Sequence, residues 1–174
     1  KIMKTSNKGF DPCGNAQIIT NEDQVILAAD VTSQANDVRQ VEPMVEQLQS
    51  NVSAAELDGE VGDFIADAGY FSAANTEAVK QAGMEPYFAI QRLKHNEQIP
   101  ESAKGRTPGG LTPKQLMARK LRTKKGRETY HKRKWMVEPV FGQIKQARSF
   151  RQFLLRGAEK VANEWGFVCL AHNV

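Results

Sequence analysis

The chain has 174 residues, of which 40% are hydrophobic and 25% charged, and its formal net charge is +4. This length and composition fit one soluble globular domain with a core of its own. No apolar run approaches the roughly 20 residues that a membrane-spanning helix needs, and residues 1–15 are polar without a secretory signal. Two cysteines far apart in sequence, Cys13 and Cys169, argue against a disulfide scaffold or a cysteine-based zinc site.

Charge is divided unevenly along the chain. Residues 1–103 hold 7 basic and 16 acidic side chains, a net charge of −9, whereas residues 104–160 hold 17 basic and 3 acidic side chains, a net charge of +14. We refer to residues 104–160 as the basic segment. A segment of this length and charge indicates a polyanionic partner such as nucleic acid, although a solvated helix face would have the same composition.

Predicted strands and helices alternate in the acidic part of the chain. Residues 16–20 and 25–32 are short apolar and β-branched runs joined by the turn residues 21–23, which predicts a β-hairpin. Apolar residues at helical spacing predict a helix over 37–50, with Pro43 marking a late start or a kink.

The pattern continues with strands over 62–67 and 86–90. Between them, Ser72 is a suitable N-cap and Gly83 a suitable C-terminal stop for a helix over 73–82. Residues 91–112 contain prolines and glycines typical of a loop or insertion. Helices are then predicted over 113–123, 127–148 and 157–171, so the chain is expected to be an α/β domain with a helical, basic C-terminal part.

Asp67 is the first candidate for a chemical role. It follows Phe64, Ile65 and Ala66 at the end of a predicted strand, and α/β proteins place their sites at the carboxyl ends of sheet strands. The alternative interpretation is that Asp67 is a turn residue or caps the next helix.

Glu138 is the second candidate, because it is the only acidic residue between Glu128 and Glu159 in the basic segment. It could pair with Lys134 one helical turn away, or it could hold a divalent cation beside a DNA phosphate. Mg²⁺ takes oxygen ligands and often uses only a few carboxylates together with substrate phosphates. Two carboxylates on different elements beside a basic surface therefore fit metal-assisted chemistry on DNA.

Several runs of residues together resemble a known family. Residues 64–72 (FIADAGYFS), with Asn75 after them, resemble the second-aspartate region of the DDE transposases of bacterial insertion sequences. Residues 130–145 (YHKRKWMVEPVFGQIK) resemble the region of the catalytic glutamate in the same family, and this is the most specific part of the likeness. Residues 148–157, the segment around Trp165, and the hairpin residues 15–17 and 29–32 also fit.

The resemblance implies a ribonuclease-H-like fold, with a mixed sheet and flanking helices, and metal-dependent DNA strand cleavage and transfer. Asp67 and Glu138 would then be the catalytic carboxylates and the ligands of Mg²⁺ or Mn²⁺. Tyr130, Arg133 and Lys145 would contact DNA phosphates. The family pattern has its Arg four residues before the glutamate, a position that Lys134 occupies here. Lys134, and Arg148 just beyond the block, are therefore also expected to contact DNA.

One part of the family pattern has no counterpart in the sequence. The first catalytic aspartate of the family ends the first strand of the fold, and residues 1–15 show no such strand, since Asp11 reads as a loop residue. We therefore expect residues 1–174 to be a partial catalytic domain without its first strand, with a loop or insertion over 91–112 and a helical part over 113–174. Alone, this chain is not expected to catalyse.

The resemblance further implies DNA as the partner, both transposon ends and target, in the cytoplasm of a bacterium and associated with its nucleoid. It leaves a homodimer open for the complete protein. Two other functions remain compatible with the residues. A noncatalytic DNA-binding remnant would use only the basic segment, and a ribonuclease-H-like nuclease of another family would hydrolyse strands without joining them.

Overall fold

The computed structural model describes residues 2–4, 10–12, 14–56, 61–91 and 102–174. The chain divides into two compact units: unit 1 comprises Lys1–Leu57 and Lys134–Val174, and unit 2 comprises Asp58–Arg133. Within the described residues, the strands are β1 (Ile2–Lys4), β2 (Phe10–Pro12), β3 (Asn15–Thr20), β4 (Ile26–Thr32), β5 (Asp63–Ala66) and β6 (Glu85–Phe88). The α-helices of the same ranges are α1 (Val41–Ala54), α2 (Ala73–Gln81), α3 (Pro113–Arg122), α4 (Lys124–His131), α5 (Arg133–Gly142) and α6 (Ala158–Asn173). None of the described helices is both long and apolar enough to cross a bilayer.

Strands β1 and β2 form an antiparallel pair in which Met3 lies opposite Asp11. The expectation that Asp11 lies in a loop is therefore wrong, because Asp11 is the middle residue of β2. Neither strand ends in an aspartate, so the missing first strand of the family pattern remains a prediction. Each of these strands has three residues. Such short strands do not show the alternation of apolar and polar residues by which a strand is recognised in sequence.

The predicted hairpin of unit 1 is confirmed as the antiparallel pair β3–β4, in which Asn15 lies opposite Thr32. Its turn is built by Asn21, whose side-chain oxygen accepts hydrogen bonds from the backbone N–H groups of Asp23 (3.1 Å) and Val25 (2.9 Å). An Asn side chain that bonds the backbone two residues ahead is typical turn chemistry, which is why this turn was predictable.

A 3₁₀ turn (Asp37–Gln40) precedes α1, and Pro43 is the third residue of the helix. Proline is tolerated in the first turn of a helix, because the N–H group it lacks has no helical partner there. The turn is also linked to β3, since the Asp37 carboxylate accepts hydrogen bonds from Asn15 (2.7 Å) and Gln17 (3.1 Å). Two of the hairpin residues that resemble the transposase family thus have a structural role.

Helix α6 packs on β4 and closes the core of unit 1. The buried members of this core come from β4, α5, the π-helical turn that follows α5, and α6: Ile26, Val140, Ile144, Trp165 and Cys169. The end of α6 is fixed to β4 by Asn173, whose side chain donates to the carbonyl of Ile26 and accepts from its N–H, both at 2.8 Å.

Unit 2 contains the parallel pair β5–β6, with Ala66 opposite Phe88. Parallel neighbours require a crossover connection, and α2 supplies it. Its N-cap, Ser72, accepts a hydrogen bond from Asn75 N at 2.9 Å. Gly83 after the helix has φ +83°, a left-handed conformation that favours glycine. The predicted strands and the predicted helix of this region are therefore confirmed within one or two residues.

Helix α3 is anchored to β6 by Lys120, which pairs with Glu85 and donates to the Pro86 carbonyl oxygen at 2.6 Å. The ammonium group also lies 3.8 Å from the centre of the Tyr87 ring. Burial lowers the pKa of Lys120, and the hydrogen bond that Lys120 donates to Glu85 opposes this shift. The N-terminus of α3 is closed by a capping box between Thr112 and Gln115.

The predicted single helix over 127–148 is wrong, because the structure divides this region. Helix α4 runs from Lys124 to His131, α5 begins at Arg133, and the π-helical turn Gln143–Ala147 follows. Pro139 inside α5 has no N–H group to donate, and a π-helical turn is a usual way for a helix to absorb a local irregularity.

The α/β class is confirmed, and the described strands form three two-stranded sheets. A ribonuclease-H-like arrangement remains a prediction, and so does the reading of residues 1–174 as one partial domain. Of the predicted loop over 91–112, residues 102–112 are irregular, as expected, and residues 92–101 lie outside the described residues.

Candidate catalytic and DNA-binding site

Asp67 immediately follows β5, at the carboxyl end of the parallel pair. It is the N-cap of a 3₁₀ turn (Ala68–Tyr70), and its Oδ1 accepts a hydrogen bond from Ala68 N at 3.0 Å. The capping role considered from the sequence is therefore real. It does not exclude a chemical role, because the side chain remains 32% exposed.

Arg133, a residue of the basic segment that belongs to unit 2, contacts this carboxylate. Its guanidinium donates to Asp67 Oδ2 at 3.0 Å, and both side chains are partly exposed. A carboxylate has about four lone-pair positions, so Asp67 can accept these two hydrogen bonds and still act as a ligand. The contact of Arg133 with DNA phosphates remains a prediction; in the structure its guanidinium forms an ion pair with Asp67.

The turn after Asp67 is held by Asn75, a buried residue of α2 that donates to the Tyr70 carbonyl oxygen at 2.7 Å. Because this bond joins the turn to the first helical turn of α2, it fixes where the chain leaves the Asp67 position. Asn75 is thus a positioning residue whose role the sequence did not reveal. The signal available in the sequence was a polar residue three positions after the Ser72 N-cap, within the first turn of the predicted helix.

Glu138 lies on α5 with its side chain exposed. Lys134, also exposed, precedes it by one turn of the same helix, as the spacing predicted. Glu138 belongs to unit 1 and Asp67 to unit 2, so the convergence of the two carboxylates remains a prediction.

The other candidate residues for DNA binding lie on α4, in the π-helical turn and just after it. Tyr130 is half-buried on α4, Lys145 is exposed in the π-helical turn, and Arg148 is exposed directly after that turn. The Lys145 ammonium lies 5.2 Å from the centre of the Phe141 ring, within the range of a cation–π contact. The cationic side chains are therefore available to an anionic partner.

No group of three or more potential metal-ligating side chains occurs within the described part of the chain. The donors at the predicted positions are nevertheless carboxylate oxygens, the ligand type that Mg²⁺ and Mn²⁺ prefer. Magnesium in particular is often held by one or two carboxylates together with water and phosphate oxygens. The chemistry of Asp67 and Glu138 therefore fits a divalent cation.

Comparison with known proteins gives one clear relationship. The family model described as the transposase DDE domain matches residues 2–174. No curated protein and no solved structure gives a significant match. The match spans the hairpin, the strand that ends before Asp67, and the basic helices around Glu138, which are the regions whose residues carried the resemblance. The chain therefore belongs to the transposase DDE domain family.

Proposed function

We propose that this chain contributes two metal ligands, Asp67 and Glu138, to metal-dependent DNA strand cleavage and transfer in the transposition of an insertion sequence, and that it is inactive alone. Membership of the family implies transposition-related cleavage and transfer of DNA in general. The assignment of Asp67 as a metal ligand is supported by the position and contacts of its carboxylate. Its carboxylate follows a parallel strand and bonds to Arg133, a residue of the basic segment.

A bound divalent cation would supply Lewis-acid activation of the attacking water or 3′-hydroxyl and charge neutralisation at the phosphate. The residues of the chain have the remaining tasks. Asp67 and Glu138 contribute hard oxygen ligands, and Arg133 holds the Asp67 side chain in one orientation. Exposed Lys134, Lys145 and Arg148 neutralise DNA phosphates, and Tyr130 adds a hydroxyl that can donate to the backbone.

The partners in this proposal are transposon ends and target DNA. The net charge of +14 over residues 104–160 supports binding through phosphates, and such binding weakens steeply as salt concentration rises. Insertion-sequence origin, homodimer formation in the complete protein and association with the bacterial nucleoid are further parts of the same proposal.

Metal binding by the chain as it stands is the direct test. Mn²⁺ is titrated into the protein with and without a short DNA duplex, and free Mn²⁺ is followed by electron paramagnetic resonance. We expect Asp67→Asn and Glu138→Gln each to weaken Mn²⁺ binding by at least about tenfold, because each substitution removes an anionic ligand. Circular dichroism verifies that each variant is folded.

The matched controls are Asp63→Asn, at the start of β5, and Glu128→Gln, in the same basic segment as Glu138. Each removes one carboxylate charge within ten residues of a proposed ligand in sequence, and neither should change Mn²⁺ binding by more than about twofold. Equal losses in controls and ligand variants would refute the assignment. Duplex binding that is salt-sensitive and unaffected by Mn²⁺ in all variants would instead support a noncatalytic DNA-binding remnant.

A further inference from the structure

A cleft of about 1090 Å³ lies in unit 1, and neither Asp67 nor Glu138 is among its described lining residues. Its walls come from the start of β3, the end of β4, the π-helical turn, residues 150–157 and the first turns of α6. The volume slightly exceeds the range usual for small-molecule sites, roughly 300–1,000 Å³. Nothing in the proposed metal chemistry uses this space.

The cleft combines an aromatic floor with a cationic rim. Phe141 and Phe150 lie 6.4 Å and 6.3 Å from Trp165, ring centre to ring centre, with interplanar angles of 15° and 29°. The Trp165 side chain is almost fully buried, with 3% of its surface exposed, whereas Phe141 and Phe150 are half-buried. The charged residues of the lining are Lys145, Arg151 and Arg156, and none of the described lining residues is acidic.

The rim is held in place by hydrogen bonds within unit 1. The Arg151 guanidinium donates to the Lys145 carbonyl oxygen at 3.3 Å and to Gln146 Oε1 at 2.6 Å. On the other side, the Glu164 carboxylate accepts from the backbone N–H groups of Leu154 and Leu155 at 2.9 to 3.1 Å. The first contact holds the Arg151 guanidinium, and the second holds the backbone of the segment that leads to Arg156.

We propose that this cleft binds unpaired nucleotides of a DNA strand; the inference rests on the proposed function, since it specifies the form of DNA that the protein holds. A duplex presents phosphates outside and stacked bases inside, so it could use the rim but not the floor. Unpaired bases can stack on aromatic side chains while their phosphates meet Lys and Arg. The absence of acidic groups among the described lining residues favours an anionic occupant over a neutral or cationic one.

The test compares fluorescence anisotropy of a labelled 12-nucleotide oligo-dT with that of a labelled 12-base-pair duplex, without metal. We expect Phe150→Leu to weaken oligo-dT binding by roughly 5- to 100-fold, the range for loss of one stacking contact, and to leave duplex binding within about twofold. Arg156→Ala, at an exposed position, should weaken oligo-dT binding without a risk to folding. Arg39→Ala, an exposed arginine of the 3₁₀ turn outside the cleft, is the matched control.

A second readout keeps the inference testable if Phe150→Leu affects folding. In a Trp135→Phe background, emission comes from Trp165 alone, since the chain has 2 tryptophans. Oligo-dT should quench this emission, and the duplex should not.

Two results would overturn the inference: no change in Trp165 emission on binding oligo-dT, or an equal loss of oligo-dT binding in Arg39→Ala and Arg156→Ala. Either result, obtained while Mn²⁺ still binds through Asp67 and Glu138, refutes the cleft and leaves the proposed function intact. Conversely, if Asp67→Asn and Glu138→Gln leave Mn²⁺ binding unchanged while oligo-dT is still bound selectively, the metal assignment is refuted and the cleft is supported.

Discussion

Replacing Gly126 with alanine should destabilise unit 2, although alanine is normally the better helix former. Gly126 is buried in the first turn of α4, where its N–H donates to the N-cap Thr123 Oγ1 at 3.0 Å. An added Cβ would fall well inside contact distance of the Lys120 carbonyl oxygen, 2.8 Å from that carbonyl carbon and 3.0 Å from Leu121 Cα. All three are atoms of the α3 backbone, so no flexible side chain can move away.

The magnitude follows from two opposing effects. Glycine to alanine inside a helix gains about 1 kcal/mol from helix propensity. Forcing an extra carbon into a closely packed site typically costs about 1–3 kcal/mol, and more where backbone must shift. Because the Cβ would overlap backbone atoms, we expect the second effect to prevail, with a net loss of about 2 kcal/mol. For an m value of about 2 kcal/mol per M, the urea midpoint falls by about 1 M.

The assay is urea unfolding followed by far-ultraviolet circular dichroism. This readout is chosen because both tryptophans belong to unit 1, whereas Gly126 belongs to unit 2. Gly166→Ala is the matched control: Gly166 lies within α6, and an added Cβ there meets nothing within 4 Å. That variant should gain about 0.5–1 kcal/mol. A midpoint for Gly126→Ala at or above that of the unchanged protein would refute the close-approach argument.

Three further predictions follow from other contacts. Asn173→Ala should lower the free energy of unfolding by about 1–3 kcal/mol in urea titrations, because it removes both hydrogen bonds to the Ile26 backbone; an unchanged midpoint would show that water replaces them without loss. Thr112→Ala should cost about 1 kcal/mol through loss of the α3 capping box, measured as the decrease in urea midpoint, and Thr112→Ser should recover most of it. Burial raises the pKa of the Cys169 thiol from 9.0 to about 12, so in a Cys13→Ser background Ellman's reagent at pH 8 should react only when the protein unfolds. The same shift means that the unfolded chain loses the proton first, so stability should fall as pH rises between about 9 and 12; rapid native-state labelling or rising stability in that window would contradict the burial of this thiol.

The features that were predictable from the sequence have their signals within a few residues. Asn21 builds its turn with neighbours two and four positions ahead. Ser72 and Thr112 cap helices through N–H groups three positions ahead. Local signals of this kind give correct elements because donor and acceptor are close in the chain whatever the rest of the fold does.

The candidate site was only partly predictable. The residues around Asp67 and Glu138 carried the family resemblance, and the family match over residues 2–174 confirms the family. The ion pair between Asp67 and Arg133 joins residues 66 positions apart, and no spacing rule anticipates such a contact. The catalytic role of Asp67 is thus a prediction from the sequence, and its ion pair with Arg133 was visible only in the structure.

The sequence by itself determined the α/β alternation, the hairpin, the ends of α2, α3 and α6 and the family, because these depend on local backbone chemistry and on the order of residue types. Tertiary structure alone decided that β1 and β2 pair, that Gly126 must lack a side chain, and that the Asn173 side chain hydrogen-bonds the backbone of Ile26 in β4. Each of these features depends on which segments, distant in sequence, come into contact. Burial makes the contacts energetically important, because a buried polar group without its partner, or an added carbon without space, raises the free energy of the folded state.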